Sequence, residues 1–537
     1  MPLGPDGAAK HLALVAARAP LADASAPTAQ LLTQGGDHRI RIDDASGLNP
    51  YGCAPSPDDG LVAFGSSTAS TISGAAFAAA DRLRIRLAEA LKTRPAADVF
   101  ERETARVRAE LLQLCGLEDA GVEVLLSPSG TDLHMLAAQL VGSDPARPTL
   151  AIIAEETETG GGVPAALAGR RYSAVAPFDD LADDEGPITG ALAADVISVA
   201  ARAADGRPRD PETVDLEVEQ LAAGAAGAGR RVLLVVTDVS KTGLVTPTPA
   251  VARRLALRWP DKVVVLVDAS QMRLTPATMQ AYVQEGWLVA ISGSKFLTGP
   301  AFSGAMMIPR PLAETLRRRV LSARLRAYST QCEWPPGWTA RTLLEPVGNL
   351  GLLLRWEAAL EELRLFRALP EGQISAFVTQ LGRTAAAVIA ASPALEALDS
   401  RGLDRAWGPV GGWDSLPTIF PFLLRRLSPA GTGAWLSPDE TARVHRLLRQ
   451  DLAAQGAASG EAQVRTAAGL RIEMGQPVAV GCRDGIQLSA LRFCIGARQI
   501  ADACSGGPAA AARSLLDCRL ALAKTAWLAA EVGAGRL

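Results

Sequence analysis

Seven short apolar runs constrain the fold of this chain more than any other feature. They are VEVLLSP from Val122, TLAIIAEE from Thr149, YSAVAPF from Tyr172, VLLVVTDV from Val232, VVVLVDAS from Val263, LVAISGS from Leu288 and GAMMIP from Gly304. Each is too short for a helix and rich in Val, Ile or Leu without polar alternation, the pattern of strands buried on both faces. Helical or Ala-rich segments separate most of them, so the connections read as crossovers. The expected fold is therefore α/β, a seven-stranded, mainly parallel sheet flanked by helices. The insertion between about 179 and 230 holds one further short strand candidate, VISVAARA, and a helix, VDLEVEQLAAGAA.

A chain of 537 residues exceeds one ordinary core, so more than one domain is expected. Residues 1–75 read as an N-terminal arm, because Pro, Gly, Asp and Ser break every apolar run, as in GLNPYGCAPSPDDG. Residues 76–330 carry the sheet. Residues 331–537 open on a long amphipathic stretch, NLGLLLRWEAALEELRLF, a bridging helix, and continue as a smaller α+β domain. A net charge of −3 gives no basic footprint for nucleic acid. No uninterrupted apolar run of about 18 residues is present to span a bilayer. The N-terminal apolar stretch is interrupted by Arg18 and makes a poor signal peptide. Seven scattered Cys without a CxxC pair fit free thiols in a reducing cytoplasm, and four His without ligand spacing argue against a metal site.

Three strand ends carry the chemistry. VEVLLSP runs into Ser129, Gly130 and Thr131 at the start of a helical segment, where unshared N–H groups and the positive dipole end suit an anion. VVVLVDAS ends in Asp268, at the carboxyl end of a strand, where open α/β sheets bind ligands. LVAISGS leads to Lys295 in a turn of Gly, Ser and Pro. A partly desolvated lysine there has a lowered pKa and a nucleophilic amine, the condition for a Schiff base with an aldehyde.

The order and spacing of these motifs resemble the fold-type I pyridoxal phosphate (PLP) enzymes, in the class V aminotransferase and cysteine desulfurase branch. The matching residues are Ser129, Gly130, Thr131; Asp268 and Gln271; Ser292, Ser294 and Lys295; and Gly299, Pro300 and Gly304, within about 121–309. Seven strands is also the size of that family's large sheet. The resemblance implies PLP as cofactor, held by Lys295, with Asp268 on the pyridine nitrogen. Ser129, Gly130, Thr131, Ser292 and Ser294 would hold the phosphate, and Gln271 would donate to the ring oxygen O3′. Ser240 is the nearest match for a second residue at O3′, with Asp238 and Thr242 beside it. Thr159 stands where the family usually stacks a His or aromatic on the ring, which is a departure. Arg492, in SALRFCIGARQ, matches the arginine that takes the substrate carboxylate, with Arg498 as the fallback.

The activity so implied is that of a PLP-dependent transferase, an aminotransferase acting on an amino acid or amine, as a homodimer with its site at the subunit interface. The alternatives are a lyase of cysteine desulfurase type, for which Cys482 is the available thiol, and a PLP-fold binding protein without catalysis. Ser66, Ser67 and Thr68 are further candidates near substrate. The Asn49-Pro50-Tyr51 segment reads as a turn, His134 as a core or interface histidine, and Ser329 and Thr330 as candidates to reach a partner subunit's phosphate.

Overall fold

The computed structural model describes residues 23–537 apart from 143–145, 181–185, 404, 406, 407, 409, 410, 429, 430, 458 and 460. The larger sheet runs β2 (Val122–Ser127), β11 (Gly304–Pro309), β10 (Leu288–Ser292), β9 (Val263–Ala269), β7 (Val232–Asp238), β3 (Thr149–Ala154) and β6 (Ala194–Val199), with the short β8 (Val245–Thr246) off β7. Strands β3, β6, β7, β9 and β10 are parallel, and β11 runs antiparallel between β10 and β2. The carboxyl ends of β2, β3, β7, β9 and β10 thus share one edge of the sheet.

Six of the seven apolar runs form strands of this sheet, and successive residues serve opposite cores. Val124, Leu126, Ile152, Leu234, Val267 and Ile291 belong to one buried cluster. Leu125, Ala151, Ile153, Leu233, Leu266 and Ala290 belong to the other, on the opposite face.

One strand assignment differs from expectation. The run YSAVAPF contributes only β4 (Val175–Ala176), paired with β5 (Asp179–Asp180) in a separate two-stranded sheet. The seventh place in the large sheet belongs to VISVAARA, as the edge strand β6. Pro177 closes YSAVAPF after two paired residues, since it has no N–H to continue a ladder. β6 exposes Asp195, Ile197 and Ser198, as an edge tolerates.

The smaller sheet runs β1 (Leu61–Phe64), β15 (Arg471–Arg483), β16 (Ile486–Cys494), β13 (Ile419–Ser428) and β12 (Leu395–Ala397), with β14 (Gly431–Trp435) on β13. β1 comes from the stretch read as an arm and pairs in parallel with β15, which stitches the N-terminal segment into the C-terminal sheet. Helices Gly74–Leu91 and Leu350–Arg367 pack together between the sheets. The helix Glu371–Ala391 is apolar enough by composition to span a membrane, with a mean hydropathy of 1.3, but Ile374, Phe377, Val378, Leu381 and Ile389 are buried in the protein core.

Arg355, buried in the helix Leu350–Arg367, ties the arm down. Its guanidinium donates to the carbonyls of Leu32 (3.0 Å), Gln34 (2.5 Å), Gly35 (3.0 Å) and Phe302 (2.6 Å). Arg355→Met keeps volume but leaves these acceptors without their donor. We expect a loss of roughly 2–4 kcal/mol, from the penalty for orphaned buried acceptors, read as a lower urea midpoint. An unchanged midpoint would contradict this role.

Candidate functional site

A cavity of about 390 Å³ opens where the strand ends converge. Of the residues expected at the site, Ser129, Gly130, Thr131, Thr159, Asp268, Gln271, Ser292, Ser294, Lys295 and Arg492 line it. Ser240 does not. A larger groove of about 1130 Å³, lined from helices Glu371–Ala391 and Gly507–Gly533, carries Arg383, Glu461 and Arg519 beside Leu427, Leu522 and Trp527 and shares no lining residue with this cavity. The chemistry gathers in the smaller cavity.

The anion cup is the start of the helix Gly130–Val141. Ser129 caps it, accepting from the Asp132 amide (3.1 Å) and donating to the Asp132 carboxylate (2.6 Å). The N–H groups of Gly130 and Thr131, in the first turn, have no intrahelical acceptor and point out of the helix end. Tyr172 also donates to Asp132. Burial pushes the Asp132 acid up to about 6 against the lowering effect of these two hydroxyls.

Asp268 ends β9 and is almost fully buried. It accepts from the Ser270 amide (3.1 Å), the Ser270 hydroxyl (2.5 Å) and Thr159 (3.4 Å). His134 Nε2 lies 3.6 Å away. The Gly130 carbonyl, 2.7 Å from His134 Nδ1, can only accept, so Nδ1 carries a proton and Nε2 is the atom turned to the acid. Burial works to raise the acid's pKa, but His134, Lys295 and Ser270 outweigh it and hold Asp268 below the ordinary aspartate value.

Lys295 follows β10 on a loop pressed against the helix Leu350–Arg367. A Cβ on Gly293 would sit 2.5 Å from Ala359 Cβ, and one on Gly299 would sit 2.7 Å from the Gly293 carbonyl. Only glycine allows this approach. Thr298 and Phe302 take positive φ (58° and 74°) on the same loop, a cost the packing sustains beside the site. Burial lowers the Lys295 pKa, with Arg492, Arg273 and Arg39 adding to the effect and Asp268 opposing it. Its amine makes no hydrogen bond among the described residues, so nothing competes for its lone pair. Ser292 and Ser294 pair through their hydroxyls at 2.7 Å.

Arg492 is buried on β16. It donates to the Gln476 carbonyl and to Thr68 Oγ1, both at 2.7 Å, and to no carboxylate among the described residues. Arg498, the fallback, is committed elsewhere: it donates to Glu362 (3.0 Å) and to the carbonyls of Thr71 and Thr298. Gln271 donates to the Ser67 carbonyl (3.1 Å) with one of its two amide protons.

Several expectations need correction. The Ser240 hydroxyl donates to Glu158 (2.6 Å), inside a cluster with Thr242 and Arg202, and so is turned away from the cavity. The next residue, Lys241, faces the cavity instead, as does Thr237. Ser329 and Thr330 are buried and bonded to Glu333, with Ser329 donating at 2.7 Å and the Thr330 amide at 3.0 Å, so neither reaches outward. Cys482 lies within β15 opposite Gln487, its amide bonded to Ala204, and no cysteine lines the cavity among the described residues.

His134, expected as a core or interface residue, lines the cavity, and Tyr51 and Arg39 reach it from the arm. Arg39 is bound to Asp37 (2.6 Å), stacks over Phe302 and lies 3.5 Å from Thr131 Oγ1 at the cup. His134 carried a signal, a polar residue one turn past Gly130 in an apolar helix. Arg39, 92 residues from Thr131, carried none.

No protein-family model matches the sequence, and no curated protein matches it either. Among solved structures, the chain superposes on the cystine C-S lyase C-DES, in complex with its reaction product cysteine persulfide. The TM-score is 0.51 and the identity 16%, over 86% of this chain and 98% of that one. A NifS-like protein (TM-score 0.48, 12% identity, 86% of this chain and 98% of that one) and TDC from Oryza sativa with PLP and tryptamine (0.46, 13%, 85% and 83%) align more loosely. At these identities the likeness is one of fold. The fold is the fold-type I architecture that the order of the strand-end motifs implies.

Proposed function

We propose that the protein binds PLP at this cavity and acts on the amino group of an amino acid, as an aminotransferase. The observation that carries the reading is the placement of Lys295 and Asp268 at adjacent strand ends in one cavity with an anion cup.

The residues fit such a cofactor by their chemistry. The amides of Gly130 and Thr131, the hydroxyls of Thr131, Ser292 and Ser294, and Arg39 would hold its phosphate. Asp268, kept ionised, would hold its ring nitrogen, and Lys295 would hold its aldehyde. A buried polar atom at the cavity, Thr237 Oγ1, has no hydrogen-bond partner among the described residues, which suits a site completed by a polar ligand. When bound, PLP supplies an electron sink for the carbon that bears the substrate amine.

The protein's own groups then have separate tasks. Arg492 pairs with the substrate α-carboxylate and fixes the orientation of Cα. Lys295 Nζ, with its lowered pKa, takes the proton from Cα, and as an ammonium can deliver it away from Cα, which a transamination requires. Asp268 keeps its charge because His134 stands behind it. Thr159 holds the second oxygen of that acid in place and leaves one face of the cavity without an aromatic side chain.

A second reading, a lyase acting at Cβ, draws support from the superposition on C-DES, whose described product is cysteine persulfide. Without a thiol in the cavity, such a lyase would work by elimination rather than by sulfur transfer to a protein cysteine. Adding PLP and then single amino acids, with absorbance followed between 300 and 500 nm on the order of minutes, tests the proposal. An aminotransferase shifts its spectrum and releases one keto acid per site. A lyase releases ammonia continuously. A protein that gives neither response contradicts the proposal.

A further inference from the structure

We propose that Lys241 and Arg492 form a two-point anion site, so that the substrate is an amino acid with a second acidic group on its side chain. The identification of the ligand as an amino acid rests on the function proposed above, whereas the anion site rests on the charges of the cavity.

Four cations line the cavity, Arg39, Lys241, Lys295 and Arg492, against two carboxylates, Asp268 and Glu158. Glu158 is already satisfied, by Arg202 Nε (2.8 Å), the Ser240 hydroxyl (2.6 Å) and Thr242. Asp268 faces His134 and Lys295. Arg39 is paired with Asp37 and lies beside the anion cup. That leaves Lys241 and Arg492.

Both bond only to neutral oxygens. Arg492 donates to Gln476 O, Thr68 Oγ1 and, at 3.4 Å, the carbonyl of Lys241 itself. Lys241 Nζ donates to the Glu156 carbonyl at 2.9 Å and forms no ion pair among the described residues. Lys241 and Arg492 line the same cavity, and Arg492 Nη1 lies 3.4 Å from the Lys241 carbonyl; two cations in one cavity repel each other, and an anion that joins them offsets the repulsion. One α-carboxylate in a bidentate bond satisfies Arg492. Lys241 still has two ammonium protons and an unbalanced charge. Burial, with Arg492 and Lys295 adding to it and Glu158 and Glu156 opposing it, pushes its amine down to about 8, a shift that a bound anion would reverse.

The loop is built to hold Lys241 still. Its amide donates to the Glu158 carbonyl (2.9 Å), the amides of Thr242 and Leu244 bond to the Glu158 carboxylate and the Ser240 hydroxyl, and Gly243 turns the chain at φ +90°. The cluster of Glu158, Ser240, Thr242 and Arg202 fixes the backbone of Lys241, whose carbonyl lies 3.4 Å from Arg492 Nη1. Rigid placement reduces the entropy lost on binding.

Calorimetric titration of the full-length protein, supplied with PLP, with glutarate and with pentanoate tests the proposal, since these acids differ by one carboxylate. Wild type is expected to bind glutarate about tenfold or more tightly than pentanoate, the size of one charged hydrogen bond. Lys241→Met should abolish the preference by weakening glutarate alone, and Lys241→Arg should retain most of it. Equal affinities in wild type, or an equal loss for both acids in Lys241→Met, would overturn the proposal. Should Lys241→Met not fold, the wild-type comparison still decides. Cofactor absorbance on the same sample separates the two claims: a glutarate preference without bound PLP keeps the anion site and removes the cofactor reading, and bound PLP without the preference does the reverse.

Discussion

Lys295→Ala is expected to lower turnover by at least about 10²–10⁴-fold, the range for removing a positioned proton carrier. The effect has two sources, since the same amine would hold the cofactor and move the substrate proton. Burial makes the side chain suited to both, because it disfavours the ammonium and frees the lone pair, while Asp268 opposite limits the shift. The variant should fold normally, as the Lys295 amine makes no hydrogen bond that the loop depends on, and Phe296 and Thr298 hold that loop through their backbone. Steady-state rates, with circular dichroism as a folding control, check this. Activity close to wild type would show that the chemistry lies elsewhere.

Asp268→Asn is expected to weaken cofactor binding and turnover together. The substitution keeps shape but removes a buried charge that faces His134 and Lys295. Truncating one partner of such a pair costs about 2–5 kcal/mol. At about 1.4 kcal/mol per decade, that is roughly 30-fold to several thousand-fold in cofactor affinity. Asn also cannot keep a ring nitrogen protonated, so turnover should fall further than affinity at saturating PLP. Fluorescence titration with PLP and saturated rates separate the two effects. If affinity and turnover both survive, Asp268 serves only to cap its own turn through Ser270.

The sheet was legible because its strands are buried on both faces, which leaves uninterrupted runs such as VVVLVDA. Edge strand β6 was harder, since its exposed face dilutes the apolar run with polar residues, and the apolar run YSAVAPF looked like a strand although Pro177 ends its pairing after two residues. The site was legible where side chains follow directly from strand ends, as with Asp268 after β9 and Lys295 after β10. Ser240 failed that rule by one residue. The turn after β7 directs its hydroxyl into the Glu158 cluster and leaves Lys241 at the cavity, a choice made by long-range bonds 82 residues apart in sequence. Arg39 and Tyr51 arrive from the arm by way of Arg355, a buried arginine whose carbonyl partners no sequence pattern names. His134 sits in an apolar helix after β2, and its part in the site depends on Asp268 in β9, with two strands between them in the sheet.

The account stands most directly on hydride reduction of the protein saturated with PLP, followed by peptide mass mapping. It predicts one pyridoxyl label per chain, on the side chain of Lys295, and none in Lys295→Ala. A label on Lys241 or another lysine, or no stable label at all, would contradict it.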